Sequence, residues 1–138
     1  MRFLGLDLGS RTLGVSVSDK SGTIATGVKV IHHKEDYEGL VQEVCDLVRE
    51  YEVDSIVLGF PKNMNGTIGP KGELSIDFKG MLEKALAIPV ILQDERLTTK
   101  SATDMLIKGN VSRRKRHEVV DSVAATIILQ TYLDRREK

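Results

Sequence analysis

The first nineteen residues constrain this chain more than any other stretch. Phe3-Leu4-Gly5-Leu6-Asp7-Leu8 is an apolar run that reaches a carboxylate, Gly9-Ser10 turns it, and the chain returns as a second run closing on Asp19. Residues 2–8 and 12–19 therefore read as a β-hairpin. Aspartate is a poor strand former, and a lone carboxylate is costly to bury. An acid at the end of a first strand thus implies a partner: a metal ion, a cation or a set of donors.

Beyond the hairpin, residues 22–31 read as a third strand of the same meander. Leu40, Val41, Val44, Leu47, Val48 and Tyr51 recur at helical spacing, which predicts a helix from about Tyr37 to Tyr51. Ser55 to Phe60 is a continuous apolar run suited to a parallel strand covered on both sides, and Pro61 stops it. A turn-rich loop from Pro61 to Gly72 precedes a helix from about Glu73 to Leu86. Pro89 to Gln93 forms another buried strand that ends at Asp94-Glu95. A helix capped by Thr98 or Thr99 runs to Ile107, a basic loop spans Ser112 to Arg116, and a last helix runs from about His117 to Leu133. This order predicts an α/β fold, a sheet of mixed direction with helices on both faces. No repeat or linker divides it, so residues 1–138 read as a single domain.

Net charge is zero but unevenly spread. From Arg96 to His117 there are seven Lys/Arg and one acid, whereas from Glu35 to Asp54 there are eight acids and one base. A polyanion would choose the first region. The single cysteine, Cys45, rules out an internal disulfide and fits a reducing compartment. No signal peptide is legible and no stretch approaches the roughly 20 apolar residues of a membrane span. A cytoplasmic protein without membrane partners is expected. With 4% aromatics and no Trp, recognition by stacking unpaired bases is disfavoured.

Three carboxylates stand at predicted element ends. Asp7 closes the first strand and Glu95 the last; in an α/β sheet such ends collect function. Asp121 shares a helical face with Ala124, Ala125, Ile128 and Leu129, where an isolated acid would cost several kcal/mol. Each has a plain alternative: Asp7 as a turn acid, Glu95 paired with Arg96 or a lysine, Asp121 as an acid favoured by a helix N-terminus. Their joint position favours a shared divalent cation, and oxygen-only ligands suit Mg²⁺ or Mn²⁺ over Zn²⁺. Two such ions about 4 Å apart are standard apparatus for in-line hydrolysis of a phosphodiester.

With these residues in hand, the sequence resembles the YqgF family. Its members are bacterial pre-16S rRNA nucleases, also described as Holliday junction resolvases. The carriers are Gly5-Leu6-Asp7-Leu8-Gly9-Ser10-Arg11-Thr12-Leu13-Gly14-Val15 with Ser18-Asp19, and Gly59-Phe60-Pro61-Lys62-Asn63-Met64-Asn65-Gly66-Thr67-Ile68-Gly69-Pro70. Asp94-Glu95-Arg96-Leu97-Thr98-Thr99 follows, then Arg114-Lys115 leading to Asp121-Ser122-Val123-Ala124-Ala125. The resemblance implies a ribonuclease H-like fold, a five-stranded mixed sheet with three antiparallel strands and two parallel ones. It also implies a metal-dependent endonuclease trimming the 5′ end of the 16S rRNA precursor, with Asp7, Glu95 and Asp121 as the acidic triad. Two departures stand out. Many relatives have Lys-Arg where this chain has Arg11-Thr12, and true junction resolvases carry a further acid where this chain has Ala124.

The remaining candidates are substrate contacts. Asn63, Asn65 and Thr67 would hydrogen-bond phosphate or ribose, or equally close an Asx-type turn; Arg96 would orient Glu95 or meet substrate, and Arg11 is a further candidate contact. Arg113, Arg114, Lys115 and Arg116 offer counter-charge to a nucleic-acid backbone or form a solvated surface. His32-His33, at a strand end, reads as exposed. Alternatives to the rRNA nuclease are a resolvase acting on branched DNA and an rRNA-binding module that does not cut. A phosphate-binding loop of a sugar-kinase-like ATPase would need two such domains around the nucleotide. A homodimer is compatible with the resemblance, since ribonuclease H-like nucleases that cut paired sites often act in pairs.

Overall fold

The computed structural model describes residues 1–61, 65–94 and 113–136, without the side chains of 113–122. The elements are β1 (Phe3–Leu8), β2 (Thr12–Ser18), β3 (Ala25–His32), α1 (Tyr37–Glu50), β4 (Ser55–Phe60), α2 (Pro70–Ala85), β5 (Val90–Asp94) and α3 (Arg113–Arg136). The strands form one sheet in the order β3-β2-β1-β4-β5. β1 pairs antiparallel with β2 and β2 with β3, whereas β1 with β4 and β4 with β5 are parallel. The mixed five-stranded sheet expected from the sequence is therefore present, with β1 at its centre.

Strand alternation sorts the core into two layers. Leu4, Leu6 and Leu8 of β1 join Ile56 and Leu58 of β4 beneath α1 and α2. On the other face, Phe3 and Val57 pack with Ile128, Leu129 and Leu133 of α3. Burial on both sides explains why β4 reads as an unbroken apolar run. α1 starts at Asp36, whose carboxylate accepts from the Gly39 N–H at 3.1 Å, and buries Leu40, Val41, Val44, Cys45, Leu47 and Val48. Among the described residues, no helix is long and apolar enough to cross a membrane.

Three boundaries differ from the sequence reading. β3 begins at Ala25, because Asp19 to Ile24 are taken up by a turn in which Gly22 has a φ of 70°. α2 begins at Pro70 rather than Glu73, with Pro at the first position, where a fixed φ suits the helix and the missing N–H costs nothing. α3 begins at Arg113, so Arg113 to Arg116 are its first turn and not a loop. Arg and Lys are good helix formers, and neither Gly nor Pro interrupts 113–136. The helix expected up to Ile107 lies outside the described residues.

Candidate functional site

Asp7 sits on the central strand, in register with Gly14 of β2, and is half-buried. Alternation gives it the parity of Phe3 and Gly5, which face α3. The reversal that follows is closed by the Gly9 N–H donating to the Thr12 carbonyl oxygen at 2.8 Å, with Arg11 exposed beside Lys34 and Glu35.

α3 comes unusually close to the sheet at Gly5. A Cβ there would overlap the Ser16 hydroxyl and lie 2.7 Å from the Leu129 Cβ and 3.1 Å from the Ala125 carbonyl oxygen. Ser16, fully buried, donates its hydroxyl to that same carbonyl oxygen at 2.8 Å. Further along α3, Gln130 bonds Thr23 and Ala25, and Arg136 stacks over Phe3 at the amino end of β1. α3 therefore runs antiparallel to β1. From Gly5 to Asp7 the strand advances about 7 Å, and from Ala125 back to residue 121 the helix axis advances about 6 Å in the same direction. The backbone of residue 121 thus stands level with Asp7, while the Asp121 side chain is outside the described part.

β5 ends at Asp94, paired with Phe60. Two strand spacings separate β1 from β5, roughly 10 Å. Asp94 has the parity of Leu92, which packs on the α1 and α2 side, so Asp94 itself lies on the face opposite Asp7. Glu95, Arg96 and Asn63 lie outside the described residues, as do the side chains of Arg113, Arg114, Lys115 and Arg116. Among the described residues no three acidic, His or Cys groups are gathered as an ion site.

Asn65 and Thr67 are exposed and close an Asx turn: the Asn65 Oδ1 accepts from the Thr67 N–H at 3.1 Å and its hydroxyl at 2.6 Å. Asp19 belongs to the far rim and is a turn organiser. Its carboxylate accepts from the N–H groups of Ile24 and Thr23 at 3.0 and 2.8 Å and from the Ser21 hydroxyl. Those bonds, the Ile24 N–H foremost and then the Ser21 hydroxyl, hold its pKa far below the usual carboxylate range.

The two histidines part company. His32 is exposed as expected, but His33 is only 7% exposed, which corrects the reading of both as surface residues. Its ring sits behind the Gly9–Thr12 reversal, where the backbone supplies both carbonyl and N–H partners. Nothing in its spacing announced this. Ser16 carried a faint signal, as a polar residue alternating with Val15 and Val17 opposite an alanine-bearing helix.

The RuvX family, described as Holliday junction resolvase, matches residues 1–135. A protein of Geobacillus sp. (strain WCH70) named "Putative pre-16S rRNA nuclease" is 52% identical over 138 residues, covering 99% of this chain and 100% of its own length. One of the same name from Bacillus subtilis (strain 168) is 54% identical over 137 residues, with 97% and 98% covered. Among solved structures, Thermus thermophilus RuvC superposes with a TM-score of 0.60 at 13% identity, covering 99% of this chain and 96% of that one, a likeness of fold. With the match spanning nearly every residue and the sheet built as that fold requires, the chain belongs to the RuvX/YqgF family of ribonuclease H-like proteins.

Proposed function

We propose that the chain is a metal-dependent endonuclease whose active centre is the rim at the carboxyl end of β1. Residues 1–138 form one nuclease domain, and Asp7, Glu95 and Asp121 are its catalytic and metal-holding carboxylates. Asp7 carries the reading: a half-buried acid on the central strand, turned to the face covered by α3 and level with the backbone of residue 121. Asp94 lies on the face opposite Asp7, which counts against Asp94 itself as the partner.

The donors fit a hard cation. The lone thiol, Cys45, is buried, both ring nitrogens of His33 are engaged by backbone groups, and the Asp7 carboxylate offers oxygen, which suits Mg²⁺ or Mn²⁺. A divalent ion bound there supplies Lewis-acid stabilisation of the scissile phosphate and a more acidic attacking water. The protein's part is to hold the carboxylates rigidly on packed elements. Arg11, Arg96, Asn63, Asn65, Thr67 and the Arg113–Arg116 turn engage the backbone of the nucleic acid.

Precursor 16S rRNA is the substrate class that the names of relatives above 50% identity support. A four-way DNA junction is the second reading, favoured by the family description. Ala124, buried against the sheet, leaves no acid one turn beyond Asp121, which counts against it. The test is cleavage with Mg²⁺ or Mn²⁺ of precursor rRNA, single-stranded RNA and a four-way junction by wild type and Asp7→Asn. Cutting of precursor rRNA, lost in Asp7→Asn with binding retained, is expected. Equal cutting by both proteins removes the metal mechanism, and binding without cutting under either metal replaces the enzyme by an rRNA-binding module.

A further inference from the structure

A hairpin as short as Gly9–Thr12 closes on its own backbone, as the 2.8 Å bond from the Gly9 N–H to the Thr12 carbonyl oxygen does here. It does not need a buried imidazole, yet one stands behind it. The Nε2 of His33 lies 3.2 Å from the Gly9 carbonyl oxygen and 3.3 Å from that of Thr12. Its Nδ1 lies 3.2 Å from the Glu35 backbone nitrogen, and the His33 backbone N–H donates to the Arg11 carbonyl oxygen at 2.9 Å. Carbonyl oxygens only accept, so Nε2 carries the proton; a backbone N–H only donates, so Nδ1 presents its lone pair. The network therefore assigns one neutral tautomer.

The same ring fixes both sides of the crossing. On one side it meets two of the four residues of the reversal, Gly9 and Thr12, while the backbone N–H of the same residue holds a third, Arg11. On the other, the Nδ1 bond secures Glu35 in the left-handed region at a φ of 62°, immediately before α1. Tyr37 of α1 packs on the imidazole with ring centroids 5.4 Å apart, and Tyr37 in turn meets Phe78 of α2 at 6.5 Å. The reversal is thus tied to the most buried layer of the molecule rather than left as a free tip.

We propose that His33 is a positioning residue of the candidate site: by clamping the Gly9–Thr12 reversal from behind, it fixes the end of β1 and with it the Asp7 carboxylate. The proposal rests on the nuclease reading above. His33 does not touch the substrate; its effect reaches the chemistry through the backbone two residues beyond Asp7. Apolar burial alone would be served as well by leucine, which fills similar volume without a donor.

The experiment compares wild type, His33→Gln, whose amide N–H reaches toward the Nε2 position, and His33→Leu. It reads urea stability, hydrogen exchange at the Gly9 amide, and cleavage of precursor rRNA and of a four-way junction under titrated Mg²⁺. The leucine variant is expected to exchange Gly9 faster and to lose about 10- to 100-fold in kcat or in Mg²⁺ affinity, with KM for the nucleic acid little changed. The glutamine variant is expected to recover most of that loss. A leucine variant cutting at the wild-type rate, or a glutamine variant no better than leucine, overturns the proposal. If His33→Leu does not fold, His33→Met takes its place with the same readings. Absence of cleavage by wild type overturns the nuclease reading instead; unchanged Gly9 exchange in the leucine variant then overturns the clamp on its own.

Discussion

The hydroxyl of Ser16 on β2 donates to the carbonyl oxygen of Ala125 on α3 across 2.8 Å, joining residues 109 apart in sequence at the centre of the molecule. The bond lies beside Gly5, where strand and helix backbones come closest, and one helical turn from residue 121. It fixes the height of α3 against β1. Under the proposed mechanism, the approach of Asp121 to Asp7 depends on that height.

Gly5→Ala should therefore destabilise the fold more than its single methyl suggests. The added carbon meets the Ser16 hydroxyl, the Leu129 Cβ and the Ala125 carbonyl, none of which is the far end of a flexible chain. Overpacking of this kind costs about 1–3 kcal/mol, which urea denaturation would read as a lower midpoint. Ser16→Ala should cost less, about 1 kcal/mol, because Ala125 lies inside the helix and its carbonyl keeps its helical partner. An order reversed between these variants would mean that the hydroxyl, and not the close approach, sets the docking of α3.

Acid should erode the contribution of the far rim to stability. Asp19 has a pKa held below its ordinary value by the Ile24 N–H, the Ser21 hydroxyl and the Thr23 N–H. A depressed folded-state pKa means that the contribution is complete above the unfolded value, about 3.9, and is lost as pH falls through the folded one. The stability difference between wild type and Asp19→Asn should be constant near neutrality and shrink below about pH 4. Urea melts across that range check it, and a difference independent of pH would assign the turn to Gly22 alone.

Much of this architecture was legible in the sequence because hydrophobic period and burial agree. β4 is apolar throughout because both faces are covered, and α1 repeats its apolar residues on one side because only that side meets the sheet. Asp7 was legible for the opposite reason, as a charge where period and burial demanded none. What escaped detection depends on neighbours distant in sequence. His33 is buried by backbone groups from residues 9 to 12, and the Arg113–Arg116 turn is helical although its charge suggested a loop. Pro70 lies among the turn residues that follow β4, yet it is the first residue of α2.

Asp36→Ala tests the local rule at α1. The Asp36 carboxylate accepts from the Gly39 N–H at 3.1 Å, satisfying one of the first unpaired donors of the helix. Its loss should cost about 1 kcal/mol, and Asp36→Ser or Asp36→Asn should restore most of it. Thermal denaturation distinguishes the cases, and an alanine variant as stable as wild type would mean that packing of Leu40 and Val44 alone sets the helix start.

The basic first turn of α3 sets stability against binding. Arg113, Arg114, Lys115 and Arg116 stand at a helix N-terminus with no acid in the first turn, where positive charge opposes the macrodipole by about 0.3–1 kcal/mol per residue. Replacing Arg113 and Arg114 by Glu should therefore raise the melting temperature of the free protein. The same change should weaken nucleic-acid binding and flatten its salt dependence. Successive helical residues are about 100° apart, so four in a row cannot all meet one backbone. With about two of them in contact, replacing all four by Ser should lower the slope of log K against log salt by about 1.4–1.8. Fluorescence anisotropy with labelled RNA over a salt series measures it; an unchanged slope would take this turn off the path of the nucleic acid.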